Sequence, residues 1–313
     1  MRWRGRAIKV IYSAEPPLPF TIVRTMTLPE LPFTGERFTP ECVREIWHEH
    51  WHRYAFAAPL ARGRRVLDAA CGEGFGSALL ARAGARSVLG VDLADSAIAH
   101  ARSRYGAAPG LGFERMDVCA LDTLPDKHFD LIISFETLEH VAPQEAMLRG
   151  FSRLLSDQGL LLISTPDKAN YSDASGQSNP YHVRELYRDQ FEHLLGEHFA
   201  VHRLYAQKLL FQSVLWALDP NGGGVLAHTQ HMEALHDGLN YPPLYYLAVC
   251  ARNQSALASL PELSLFGDAG ESIYAHYNEE VRRHIAAGER LAQLERELAS
   301  SRAELQRIKA ERG

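Results

Sequence analysis

The stretch that decides the fold reads Val66-Leu67-Asp68-Ala69-Ala70-Cys71-Gly72-Glu73-Gly74-Phe75-Gly76. Its apolar start predicts a buried strand that ends in an acid, and the glycines at alternate positions predict a tight turn into a helix. Glycines let the backbone approach a ligand closely, and the N-terminus of a helix offers unpaired N–H groups. The stretch therefore predicts a nucleotide-type binding loop at the carboxyl end of a strand.

Two further acids follow the next two predicted strands. Asp92 ends the strand over residues 87–91, and Asp117 follows the strand over residues 112–116. A carboxylate at the first position can accept both ribose hydroxyls, and one at the second can bind the amino group of adenine. Together with Asp68, these acids indicate a ribose-and-adenine site. The G-x-G-x-G spacing differs from G-x-G-x-x-G and argues against an NAD-dependent dehydrogenase.

Beyond this stretch, apolar runs alternate with helical patterns as far as residue 252. Further strands are predicted over residues 129–134, 160–164, 199–207 and 245–250, and helices over residues 77–83, 94–105, 143–155 and 185–195. Strands separated by helices of this size predict a mainly parallel sheet with right-handed crossovers. A long polar loop over residues 167–180 interrupts the pattern, and loops of that length are usually functional or mobile.

The sequence over residues 66–76 resembles the first motif of class I S-adenosylmethionine (SAM)-dependent methyltransferases, V-L-D-x-x-C-G-x-G-x-G. Asp92 and Asp117 match that family's ribose-side and adenine-side acids. The resemblance implies an α/β, Rossmann-like doubly wound sheet of seven strands with the last strand antiparallel. It also implies SAM as cofactor, an activity of type EC 2.1.1.-, and a cofactor site formed by Asp68, Ala70, Gly72, Gly74, Asp92, Leu93, Asp117, Val118 and Phe135.

Candidate catalytic residues follow the fourth predicted strand. Glu136 and His140 are four residues apart and would share a helical face, with Glu139 beside His140. Either Glu136 and His140 take part in acceptor chemistry, or they border the cofactor and orient the loop. Some quinone-pathway O-methyltransferases carry a similar E-x-x-E-H stretch with a divalent metal, which is the alternative role for these three residues. We predict no metal site.

A second candidate base, His182, follows the long polar loop, where this superfamily usually places substrate contacts. His182 could remove a proton from the acceptor while Tyr181 or Arg184 binds it. Alternatively, Pro180 marks the entry to a helix and Glu185 faces water. The residues leave both interpretations open.

The identity of the acceptor depends on a weaker resemblance. The sequence T-G-E-R-F-T-P over residues 34–40 resembles the N-terminal segment of methyltransferases of bacterial polysaccharide and glycosyl modification. It implies a sugar or glycan hydroxyl as acceptor. The alternatives are O- or C-methylation of a small aromatic or quinone-like molecule, and a non-catalytic SAM-binding scaffold. Retention of all three acids argues against the scaffold.

The amino-acid composition restricts which classes of protein the chain can belong to. The chain has 313 residues, 46% hydrophobic and 23% charged, as in ordinary globular proteins. Its net charge of −5 argues against nucleic-acid binding, because neutralising phosphates favours a basic domain. No apolar run is long enough for a membrane span, and four scattered cysteines suggest no disulfide framework. These features predict a cytoplasmic protein.

Four segments are predicted from the changes in pattern: a flexible tail over residues 1–33, a methyltransferase domain over 34–255, a linker over 256–275 and an amphipathic helix over 276–313. Met26 is an alternative start to Met1. The helix carries a 3-4 apolar repeat that Ser301 interrupts. It is either a short coiled coil, which would form a homodimer, or a single solvated helix.

Overall fold

The computed structural model describes residues 45–218 and 224–311. In those ranges the strands are β1 Arg65–Ala69, β2 Ser87–Asp92, β3 Leu111–Arg115, β4 Phe129–Ser134, β5 Leu155–Pro166, β6 Val201–Gln207, β7 His228–His231, β8 Ala234–Asp237 and β9 Tyr245–Ala251. The α-helices are α1 Glu45–Ala61, α2 Phe75–Arg82, α3 Asp95–Tyr105, α4 Gln144–Leu154, α5 Arg188–Gly196 and α6 Ser272–Glu311. Shorter turns of 3₁₀- and π-helix lie at Leu138–His140, Gln254–Leu257 and Ala169–Asp173.

Seven of these strands form one sheet in the order β3-β2-β1-β4-β5-β9-β6. The first five strands pair in parallel, whereas β9 runs antiparallel to both β5 and β6. The predicted Rossmann-like sheet with an antiparallel last strand is therefore confirmed. Because β1, β2, β3, β4 and β5 are parallel, the loops that follow them all meet at one edge of the sheet.

Alternate residues of the central strands fill two separate cores on opposite faces of the sheet. Val66 packs into the core that α2 covers, and its neighbour Leu67 packs into the core that α4 covers. Ile132 and Ile133 of β4 divide in the same way. Strands buried on both faces become continuous apolar runs in the sequence, which is why the central strands were predictable.

The helix predicted to begin at Glu185 begins instead at Arg188. The preceding backbone is held by tertiary contacts, because the N–H groups of Val183 and Arg184 both donate to the carbonyl of Glu139. Leu186 forms an isolated parallel bridge to Asp167. These contacts hold the segment beside the carboxyl edge of the sheet, and the helical pattern from Glu185 onward did not reveal them.

A long insertion joins β6 to β9 and contains the small hairpin β7–β8, which the sequence did not predict. The two ends of the insertion lie side by side. Gln207 pairs with Tyr245, and the N–H of Leu244 donates to the carbonyl of Gln207 at 3.0 Å. The insertion therefore leaves and re-enters the sheet at neighbouring positions.

The chain divides into two compact units, with the boundary between Phe266 and Gly267. The second unit contains α6, a helix of 40 residues, so the predicted C-terminal helix is confirmed and begins four residues early. The large apolar residues of its repeat are all exposed: Leu291, Leu294, Leu298, Leu305 and Ile308.

None of the helices described is long and apolar enough to cross a membrane. The cytoplasmic location and the four predicted segment boundaries stay predictions. The predicted tail, the alternative start at Met26 and the motif over residues 34–40 lie outside the described residues.

Candidate functional site

The loop between β1 and α2 has the tight geometry expected of a ligand-binding turn. Gly72 and Gly74 both have positive φ, at 57° and 90°. Ala70 also lies in the left-handed region, at 63°, where a Cβ costs about 1–2 kcal/mol. The N–H of Cys71 donates to the carbonyl of Val91 at 2.9 Å, which anchors the start of the loop to β2.

Asp68 supports this loop from behind. It is only 1% exposed and accepts hydrogen bonds from the Ser77 hydroxyl at 2.6 Å and the Tyr54 hydroxyl at 3.1 Å. Burial raises the pKa of Asp68 to about 6, although both hydroxyls favour the ionised form. The structure thus places Asp68 as a buried link between β1, α1 and α2.

Asp92 lies at the end of β2, and its two carboxylate oxygens accept different backbone N–H groups. One accepts from Gly72 and the other from Ala94, both at 2.9 Å. The side chain of the next residue, Leu93, is exposed. Asp92 therefore joins the glycine loop to the start of α3 while remaining at the open edge of the sheet.

The segments after β3 and β4 carry the other predicted cofactor residues. Asp117 is exposed and accepts from the N–H of Cys119 at 2.8 Å. Val118 is buried, and Phe135 is buried against the ring of Tyr54. Residues 68–76, 92–94 and 116–119 follow β1, β2 and β3, and we call these three segments the β1–β3 edge. All the predicted cofactor residues except Phe135 lie in it.

The segments that follow β4 and β5, residues 135–140 and 167–187, form what we call the β4–β5 edge. Glu136 begins it in the left-handed region, with φ of 50°. The hydroxyl of Ser164 accepts from the N–H of Glu136 at 3.1 Å and donates to its carboxylate at 2.6 Å. These two bonds, together with a contact to Arg53 at 3.4 Å, hold the unusual backbone in place.

His140 and His182, 42 positions apart in the sequence, are brought together here, with ring centroids 4.9 Å apart. His182 Nδ1 lies 2.5 Å from the Glu185 carboxylate, and its Nε2 lies 3.0 Å from the Asn179 amide nitrogen. A carboxylate accepts only, so we assign the His182 proton to Nδ1. His140 Nδ1 contacts the carbonyl of Tyr181 at 3.1 Å. Glu185 thus binds His182 and does not face water.

Glu139 lies beneath these histidines and is fully buried. Thr165 donates to one of its oxygens at 3.2 Å, and the other has no hydrogen-bond partner among the described residues. Burial and the nearby Glu136 carboxylate raise the pKa of Glu139 well above its usual range.

Sequence reasoning missed the buried Arg53 of α1, which contacts β6, β9 and the segment after β4. Its Nε donates to Gln207 at 2.7 Å, its guanidinium lies 4.6 Å from the centre of the Tyr245 ring, and it pairs with Glu136. Burial raises the pKa of the neighbouring Glu49 to about 7, against the effect of Arg53. These residues come from distant segments without a shared motif, so no sequence signal identified the cluster.

The sheet order and the β1–β3 edge define a Rossmann-like domain of the SAM-dependent methyltransferase class. Residues 43–212 match the family described as "Methyltransferase domain". A Mycobacterium tuberculosis protein named "Probable S-adenosylmethionine-dependent methyltransferase" is 36% identical over 217 residues, which cover 68% of this chain and 76% of that protein. The chain therefore belongs to the SAM-dependent methyltransferase family, and SAM is its cofactor.

Other similar proteins match shorter parts of the chain. The ubiquinone biosynthesis O-methyltransferase of Neisseria meningitidis is 32% identical over 109 residues, which cover 34% of this chain and 46% of that enzyme. A crystal structure of a SAM-dependent methyltransferase from Mesorhizobium loti is 25% identical and covers 51% of this chain and 84% of that one, with a TM-score of 0.44.

Proposed function

We propose that the protein transfers the methyl group of SAM to a hydroxyl of a sugar or glycan intermediate. The observation that carries this proposal is the pair formed by His182 and Glu185 at the β4–β5 edge. A neutral hydroxyl has a high pKa and benefits from a general base, and a histidine whose Nδ1–H is held by a carboxylate is suited to that role.

The surroundings of His182 also suit a polyhydroxylated ring. The ring of Tyr171 stacks on His182 with centroids 5.4 Å apart, and the ring of Tyr181 is exposed nearby. Aromatic faces with polar edges bind sugar rings well, because the apolar face of the sugar packs on the aromatic ring. The motif over residues 34–40 supports the same acceptor by resemblance.

When bound, SAM would supply an electrophilic methyl carbon on its sulfonium, and in-line attack by the acceptor oxygen would release the thioether as leaving group. His182 Nε2 takes the hydroxyl proton as the new O–CH₃ bond forms and the bond from carbon to sulfur breaks. Glu185 stabilises the resulting imidazolium through Nδ1–H. Asn179 must yield its contact with Nε2 to the acceptor hydroxyl. S-adenosylhomocysteine and a methyl ether are the products.

The test supplies SAM with an isotopically labelled methyl group to the full chain, together with neutral oligosaccharides, nucleotide sugars and catechols. We expect label on a carbohydrate hydroxyl. Label found only on the catechols would overturn the proposed acceptor class.

A second candidate, methylation of a small aromatic or quinone-like molecule with a divalent metal, is favoured by one observation. Glu139, His140 and His182 offer ligand atoms that all lie within 4.8 Å of one another. The buried Glu139 oxygen without a hydrogen-bond partner fits a metal ligand. Glu136 is occupied by Ser164 and Arg53, so His182 replaces it in this set. A metal here would act as a Lewis acid on the acceptor oxygen.

The experiment for this second candidate is a chelator test. Methylation of catechols that a chelator abolishes and Mg²⁺ restores would favour it, whereas chelator-resistant methylation excludes it.

The apolar repeat of α6 supports a further proposal, that this helix pairs with a second copy of itself. Leu291, Leu294 and Leu298 follow a 3-4 spacing and are not buried within the chain. Such a seam is typical of two-stranded coiled coils. Sedimentation of the full chain should show a dimer that Leu294→Lys with Leu298→Lys converts to a monomer. A wild-type monomer at 100 μM would exclude the pairing.

A further inference from the structure

We propose that Glu73, which lies between the two glycines of the β1–α2 loop, is a positioning residue for SAM binding. Its neighbours Gly72 and Gly74 turn the backbone sharply through positive φ. The Glu73 side chain is 2% exposed and points into the protein rather than toward the open edge. A side chain buried at the apex of a binding loop can anchor that loop from behind.

Both carboxylate oxygens of Glu73 contact groups on α3. His100 Nε2 lies at 3.2 Å and Arg104 Nη1 at 3.5 Å from one oxygen. The hydroxyl of Tyr105 donates to the other at 3.3 Å, and that oxygen also accepts from the N–H of Phe75 at 3.1 Å. The carboxylate therefore ties the loop to α3 and also caps the first turn of α2.

The same loop is fixed from two other directions. The N–H of Gly72 donates to Asp92, which ends β2 three residues before α3 begins. A Cβ at Gly74 would lie 2.8 Å from Ala101 and 2.8 Å from the Phe113 ring, so no space remains behind the loop. The loop and α3 are thus packed closely together, and Glu73 provides the charged contact between them.

This arrangement has a specific consequence for the cofactor. The N–H groups of the loop and the Asp92 carboxylate belong to two different chain segments, and both have to keep their positions for SAM to bind. Binding by preorganised groups costs less conformational entropy than binding that must first order a loop. Glu73 holds the glycine loop and α3 in fixed relative positions without itself contacting the cofactor.

The experiment measures S-adenosylhomocysteine binding to the full chain by calorimetry, which requires no knowledge of the acceptor. Glu73→Gln keeps the size of the side chain but presents an amide N–H₂ to His100 and Arg104. We expect its Kd to rise at least tenfold. In a double-mutant cycle, Glu73→Gln combined with Arg104→Met should raise the Kd by clearly less than the product of the two single effects.

A control separates positioning from general destabilisation. Ile98→Val shortens a buried side chain on the same helix, α3, that makes no polar contact with Glu73. It should lower the Tm while leaving the Kd within twofold of wild type. The proposal is overturned if Glu73→Gln also binds within twofold of wild type, or if Ile98→Val weakens binding as much at an equal loss of Tm.

If Glu73→Gln does not fold, Arg104→Met is the deciding variant. We expect its Kd to rise about threefold, and an unchanged Kd would contradict the proposal.

Discussion

The β1–β3 edge and the β4–β5 edge lie on the same border of the sheet but are held together by different bonds. At the β1–β3 edge, Asp92 and Asp117 accept backbone N–H groups of their own and neighbouring loops. At the β4–β5 edge, side chains from distant segments bind one another, as Arg53 binds Glu136 and Gln207. The first edge depends on local chain geometry and the second on tertiary assembly.

This difference shows why the cofactor site of an enzyme is easier to predict from sequence than its acceptor site. A cofactor common to a whole family can be bound by backbone geometry that a short motif specifies. An acceptor that differs among relatives needs side chains whose partners lie far away in sequence. Variants at the two edges should therefore fail in different ways, and four predictions test that expectation.

The largest effect is expected at the β4–β5 edge, from His182→Ala. Loss of a general base should lower kcat roughly thousandfold (about 4 kcal/mol), while Kd for SAM stays unchanged. Steady-state rates and calorimetry measure the two quantities. His193→Ala, an exposed histidine on α5, is the matched control and should retain full activity. Unchanged kcat in His182→Ala would remove the proposed base.

The next effect is on stability, from Arg53→Met. The substitution leaves the buried Glu49 and the partly buried Glu136 without their cation, which should lower the free energy of unfolding by about 3 kcal/mol. Urea denaturation measures the loss. Arg115→Met, which breaks an exposed pair with Asp95, should cost less than about 0.5 kcal/mol. Equal losses in the two variants would show that Arg53 has no special role.

At the β1–β3 edge, Asp92→Ala should weaken SAM binding about a hundredfold, or about 2.7 kcal/mol, because two N–H groups lose their acceptor and the proposed ribose ligand is removed. Calorimetry with SAM measures the change. Asp95→Ala, an exposed acid three residues further on, should bind normally. Retained affinity in Asp92→Ala would break the assignment of the cofactor site.

The smallest effect concerns pH and Glu49. Its folded pKa of about 7 lies above its ordinary value of 4.5, so the folded state holds this proton more tightly than the unfolded state. Stability should therefore fall as pH rises from 4.5 to 7, by about 2.5 kcal/mol. Unfolding measured across this range should show a flatter curve in Glu49→Gln. Glu114→Gln, exposed on β3, should follow the wild-type curve. Identical curves in wild type and Glu49→Gln would contradict the prediction.

Much of the fold and the location of the β1–β3 edge could be predicted because their signals are local. Continuous apolar runs marked β1, β4 and β5, and alternate glycines marked the turn at Gly72. The inward position of Asp68 was not predictable, since Tyr54 and Ser77 approach it only in the folded chain. The start of α5 was missed because the bonds from Val183 and Arg184 to Glu139 override helix propensity.

At the β4–β5 edge, the sequence indicated His140 and His182 as single candidates but not as neighbours. Their proximity depends on the segment after the long loop lying against Glu139, a contact that no short-range pattern encodes. The same reasoning explains why Arg53 and Tyr245 were not predicted as partners. Their interaction requires α1 and β9 to meet, which is a property of the assembled sheet.

The paired ends of the β6–β9 insertion have a consequence for how such enzymes diversify. Because Gln207 and Tyr245 are already neighbours in the sheet, replacing the segment between them does not alter the distance that its ends must span. Insertions of different length can be exchanged there at little loop-closure cost, since that cost grows only slowly with length. The position is a natural graft point, at which evolution or an engineer can exchange the insertion without rebuilding the sheet.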